Sequence, residues 1–340
     1  MTHLHLLWFI LLGVLLAGYA ILDGFDLGVG SLHLVVAKND EERRVLMNAI
    51  GPVWDGNEVW LVTFGGALFA AFPRAYATAF SGFYLPFMVL LFALIFRAVT
   101  LEFRSKRPES KWRGTLDFLF FLASIGSAFL FGVAVGDVMH GIPIDAQGNF
   151  AGTLLGLVTP WSVLVGAFTL SLFTLHGAAY LHLKTEGELH ERLRTWTWTA
   201  AGVAFVLYIF TTIAALLTLP QAKENFVRFP LAWVLVAANV LALANVPRAL
   251  FLNRPLQAFV SSAVTIACLV ALLGVEMYPN LLPSSLDPKW SLTIFNASSS
   301  EKTLGIMALI AVLGMPFVVG YTSLVYWVFR GRVKLGHHSY

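Results

Sequence analysis

The sequence predicts an all-α, polytopic transmembrane protein, and three observations carry that prediction: composition, the length of the apolar runs, and where the basic residues collect. Of 340 residues, 58% are hydrophobic and 12% charged, about half the charged share of an ordinary soluble domain. That balance excludes a soluble fold. A helical span takes about 20 apolar residues, and the chain holds about nine such stretches, with eight as the alternative.

The spans fall near residues 5–35, 47–72, 76–100, 115–138, 160–183, 196–219, 229–247, 256–278 and 303–329. The first could be mistaken for a signal peptide, but it lacks a basic start, its apolar run is too long, and an acidic motif follows without a clear small-residue cleavage site. It reads as a retained span. The second is interrupted by the polar stretch Trp54-Asp55-Gly56-Asn57-Glu58, and the seventh is short. These two make the count of nine softer than any strong span. The whole chain, 1–340, reads as a single integral membrane domain with approximate halves 1–138 and 160–329 joined by an external loop.

Of the 22 Lys and Arg residues, sixteen lie in the odd-numbered connections and the tail, at 38–44, 104–113, 184–194, 248–254 and from Arg330 onward. Basic residues stay on the cytoplasmic side, so the N-terminus is expected outside and the C-terminus in the cytoplasm. The net charge of +3 is distributed in short runs between apolar stretches rather than on one basic face, so no nucleic-acid partner is expected. The single Cys268 lies in an apolar run, which excludes an intrachain disulfide and any thiolate cluster holding a metal.

Two segments carry unusual polarity for their setting. In AILDGFDLGVG, Asp23 and Asp26 are three residues apart and share a helix face; Gly24 and Gly28 have the spacing that lets a neighbouring helix approach closely. In IGPVWDGNEVWLV, Asp55 and Glu58 repeat the three-residue spacing, with Asn57 adjacent and Trp54 and Trp60 flanking. On antiparallel neighbours the four carboxyl groups could converge. Each ionised acid near mid-membrane costs roughly 2.5–3.5 kcal/mol, so some must be neutral, hydrated or paired, as a proton relay requires. The plainer reading is that acids near span ends meet headgroup water, which suits Asp23 as well as a relay does. Arg97, the one base well inside an apolar run, is a possible charge partner for Glu58. His176 and His140 could ligate haem iron, although a lone intramembrane histidine is more often a hydrogen-bonded structural residue.

The segments GYAILDGFDLGVG, NAIGPVWDGNEVWLVTFGGALFAAFP and AFSGFYLP together resemble subunit II of the bacterial cytochrome bd quinol oxidases. YLHLKTEGELHERLR and PSSLDPKWSLTIFNASSSEKTLGIM are similar to later parts of the same family. The resemblance implies two four-helix bundles plus a peripheral helix in the bacterial cytoplasmic membrane. It implies a respiratory complex that oxidises quinol and reduces dioxygen to water, in which this chain supports subunit I without being catalytic in isolation. Haem b and haem d are then expected in subunit I, with quinol as substrate. A small single-span accessory subunit and membrane lipid are further expected partners. By motif match, Asp26 and Asp55 take the positions of the family's acids on a cytoplasmic proton route, with Asp23 and Glu58 beside them. The competing reading is an independent proton-coupled secondary transporter, which would also place acids in broken helices, but polar interruption is confined to the N-terminal part.

Overall fold

Helix α1, Thr2–Val36, is the axis on which the rest is assembled. The computed structural model describes residues 2–336. After α1 come α2 (Asp40–Ile50), α3 (Trp54–Ala71), α4 (Pro73–Gly82), α5 (Tyr84–Phe103), α6 (Ser110–His140), α7 (Pro160–Lys184), α8 (Gly187–Thr218), α9 (Pro220–Arg228), α10 (Ala232–Phe251), α11 (Pro255–Met277) and α12 (Glu301–Val328). Among the described residues, eight helices are long and apolar enough to cross a membrane: α1, α5, α6, α7, α8, α10, α11 and α12. The architecture is all-α.

Two expected spans are each divided. The stretch 47–72 becomes α2 and α3 because Gly51-Pro52-Val53 forms a turn, and proline cannot donate a helical N–H. Helix α2 is amphipathic, capped by the Asn39 side chain accepting from the Glu42 N–H at 2.9 Å, and it buries Leu46, Met47, Ala49 and Ile50. Helix α3 has 18 residues but opens with Asp55, Asn57 and Glu58, which keeps it out of the strongly apolar set. The stretch 76–100 divides at Phe83 into α4 and α5. Pro86 falls in the first turn of α5, where its missing N–H goes unneeded.

The helices form two groups. Helices α3 and α6 pack on α1, with α5 on α6; α8 and α11 pack on α7, with α10 on α11 and α8; and α1 and α6 both pack on α7 to join them. Helix α12 stands outside, touching α1 and α3, with Val312, Phe317 and Tyr321 among its exposed side chains. The α1–α7 contact depends on absent side chains. A Cβ on Gly28 would lie 1.9 Å from the Phe173 carbonyl oxygen, and one on Gly177 would lie 2.4 Å from the Gly28 carbonyl carbon. Only backbone against backbone fits there.

The two ends of the molecule differ in chemistry. At one end, segments 141–152 and 279–300 pack together over the start of α1. A short antiparallel pair, β1 (Asn280–Leu282) with β2 (Leu292–Thr293), forms there, and the Trp8 indole donates to the Leu304 carbonyl at 3.0 Å. That pair had no strand signal in the sequence. At the opposite end gather the basic connections: Asp117 accepts from Arg43 and Arg104, Arg104 and Arg113 both reach Asp40, Arg192 pairs with Glu42, and Arg332 pairs with Glu186.

Candidate functional site

Asp23 and Asp26 sit on the inward face of α1 with no exposed surface. At 1.5 Å per residue, Asp26 lies about 15 Å along the helix from its basic end. Arg97 of α5, also wholly buried, places Nη1 2.6 Å from Asp23 Oδ1 and Nη2 3.2 Å from Glu58 Oε2. One guanidinium therefore serves two carboxylates on two different helices. A buried pair of this kind holds only while both partners are present, since removing either strands a charge in a low-dielectric setting.

Asp26 is held differently. Its Oδ2 accepts from Asn57 Nδ2 at 2.8 Å, and the same Nδ2 donates to the Leu22 carbonyl at 3.2 Å. Asn57 Oδ1 in turn accepts from the Tyr326 hydroxyl of α12 at 2.8 Å. Asp26 Oδ1 is buried and has no hydrogen-bond partner among the described residues. On the neighbouring face, Phe25 stacks on Tyr180 with ring centroids 4.1 Å apart, and Tyr19, one turn before Asp23, is buried as well. The structure thus gathers Asp23, Asp26, Glu58, Arg97, Asn57 and Tyr326 at one locus.

Asp55 is not gathered there. It lies in the first turn of α3, exposed on the surface of this chain, while Asn57 and Glu58 turn inward. A three-residue spacing puts two residues within about 60° of each other around a helix, and that rotation is enough to bring Glu58 to Arg97 while Asp55 stays exposed.

A second polar cluster lies nearer the basic end. His33 Nε2 stands 2.6 Å from Asp117 Oδ1, which also accepts from Arg104 Nε at 2.5 Å; Asp117 Oδ2 accepts from Arg43 and Arg104 at 3.0 Å. This ties α1, α2, α5 and α6 together through a single carboxylate. The sequence offered no cue for Asp117, since an acid near a span end normally reads as a headgroup contact.

His176 and His140 stand in different settings. His176 is wholly buried, with Nδ1 2.7 Å from Ser262 Oγ and Nε2 3.0 Å from the Ile21 carbonyl oxygen, so both ring nitrogens have a partner within this chain. Its ring stacks on Phe259 with centroids 4.7 Å apart. His140 is exposed at the end of α6. Among the described residues, no group of three or more His, Cys, Asp or Glu is placed to hold a metal ion.

The model of the family described as cytochrome bd terminal oxidase subunit II matches residues 4–329. The chain belongs to that family. It is 36% identical to cytochrome bd-I ubiquinol oxidase subunit 2 of Escherichia coli K12, over 97% of this chain and 95% of that one. It is 38% identical to cytochrome bd ubiquinol oxidase subunit 2 of Bacillus subtilis 168, over 98% of both. Its fold superposes on a chain of the bd oxidase structure from Geobacillus thermodenitrificans with a TM-score of 0.80 at 20% identity, covering 97% of this chain and 99% of that one. As a cytochrome bd subunit II, the protein is one part of a membrane oxidoreductase whose complex carries haem and uses quinol. The name also implies a partner subunit I, and it sets aside the independent-transporter reading.

Proposed function

We propose that this cytochrome bd subunit II supports subunit I, which holds the haems, and gives protons from the cytoplasm access to the site of dioxygen reduction. Asp26 is the central residue of that route, with Asp23, Glu58 and Arg97 forming its charged surroundings. The observation that carries this reading is the Asp26 carboxyl: buried, anchored through one oxygen, and unpartnered at the other. A structural acid in a membrane is normally satisfied at both oxygens, because an unmet buried acceptor costs about 1–3 kcal/mol. An oxygen left open is what a proton or a transient water requires.

Asp55 belongs to the same route at the surface of this chain, where subunit I, an accessory span or lipid would meet it. The clustering of Lys and Arg at the end that holds Asp117 supports a cytoplasmic assignment for that end, with the N-terminus outside. Oxygen consumption per haem in the assembled complex tests the proposal. Asp26→Asn and Asp55→Asn should each lower turnover by at least about tenfold, as loss of a positioned proton carrier does, with haem content unchanged. Full turnover in either variant removes that residue from the route, and loss of haem marks it as an assembly residue instead.

A further inference from the structure

The structure assigns to Asn57 and Tyr326 a positioning role: together they fix which oxygen of Asp26 is available to carry a proton. The inference rests on the proton reading above and adds a device to it. Asn57 has no freedom of orientation. Its amide nitrogen serves Asp26 Oδ2 and the Leu22 carbonyl, and its amide oxygen receives the Tyr326 hydroxyl. A flipped amide would set its oxygen against the Leu22 carbonyl and Asp26 Oδ2, losing both of those bonds, and would keep a partner only in the tyrosine hydroxyl, which can also accept.

This geometry has a chemical consequence. An amide accepts and donates hydrogen bonds but has no proton to give up near neutral pH, so the chain Tyr326–Asn57–Asp26 aligns without conducting. Tyr326 cannot deliver a proton through Asn57 to the carboxyl. With Oδ2 anchored by the amide, the oxygen open for exchange is Oδ1, which has no partner among the described residues. Asn57 acts as a spacer that closes the α12 side of Asp26, and Tyr326 locks the spacer. The lock is long-range, joining residues 269 positions apart, and it reaches in from a helix that packs on α1 and α3.

The test uses the purified, haem-loaded complex. Tyr326→Phe keeps the ring and removes only the hydroxyl, so folding is preserved; Asn57→Leu removes the whole bridge. Two readouts separate positioning from mere packing: oxygen turnover per haem, and the infrared carboxyl vibrations of Asp26, identified by their loss in Asp26→Asn. Tyr326→Phe is expected to displace those vibrations and to lower turnover about threefold to tenfold, the scale of one net hydrogen bond, with haem content intact. Unchanged vibrations and turnover in Tyr326→Phe would overturn the positioning role even if Asp26→Asn is crippled. Conversely, if Asp26→Asn retains full turnover, the proton reading fails, and the vibrations alone decide the positioning claim.

Discussion

Arg97 Nη1 stands 2.6 Å from Asp23 Oδ1, and neither side chain reaches solvent. With Glu58 at 3.2 Å on the same guanidinium, this is a point where the α1, α3 and α5 helices are bound electrostatically.

Arg97→Met is therefore expected to destabilise the chain by about 3–5 kcal/mol, because the wholly buried Asp23 carboxylate and the partly buried Glu58 lose their counter-charge. Thermal unfolding of the detergent-solubilised complex measures it. The double variant Arg97→Met with Asp23→Asn should recover part of the loss, and absence of any recovery would mean the pair is not coupled.

Gly28→Ala should separate α1 from α7. The added methyl meets the Phe173 carbonyl oxygen at 1.9 Å, backbone that cannot swing aside, and overpacking of this kind costs about 1–3 kcal/mol. Gly13→Ala on the same helix meets nothing within 4 Å and serves as the control. Equal melting temperatures for the two variants would contradict the close contact.

His176→Leu leaves Ser262 and the Ile21 carbonyl without their imidazole partner, at a cost of about 1–3 kcal/mol for a buried group left unmet. The haem absorption of the complex should be unchanged. A lost haem band in a folded, assembled complex would show that His176 ligates iron after all.

The tail beyond α12 is tied down by Lys184 Nζ donating to the Phe329 and Gly331 carbonyls, by the Val333 N–H donating to the Lys184 carbonyl at 2.9 Å, and by Arg332 on Glu186 at 2.8 Å. Arg332 holds the Glu186 carboxyl below its ordinary range. A depressed folded value means the ion pair contributes above the unfolded glutamate value of about 4.3 and is lost as pH falls through the folded one. A spin label at Lys334→Cys should gain mobility as pH is lowered below about 4, and Glu186→Gln should abolish that step. A pH-independent label would refute the contribution of this pair.

The residues legible from sequence were those whose polarity contrasts with a long apolar run. Asp23, Asp26 and Arg97 stand out that way, as does the interruption at Asp55–Glu58. The pairing of Arg97 with Glu58 could be suspected because an isolated intramembrane base must find an acid, but Asp23 as the nearer partner depends on how α5 is rotated, which no local pattern encodes. Asn57 is visible only as a neighbour of the acids. Tyr326 carries no signal, since a tyrosine beside Trp327 at the end of an apolar helix reads as an interfacial anchor, and its partner is 269 residues distant. The separation of α2 from α3 follows from Gly51-Pro52, while the exposure of Asp55 beside the burial of Glu58 is a matter of helix rotation.

The contacts of α1 also impose a timetable on biosynthesis. The helix carrying Asp23 and Asp26 leaves the ribosome before α5 and α12, yet Asp23 acquires its counter-ion only when residue 97 has been made and inserted, and the tyrosine that secures Asn57 arrives later still, with α12. Until then the nascent chain must shelter two acids, each disfavoured in the bilayer core by roughly 2.5–3.5 kcal/mol, beside lipid, water or the insertion machinery. The order of synthesis is thus opposite to the order of need: the acids of α1 enter the membrane well before the side chains that accommodate them.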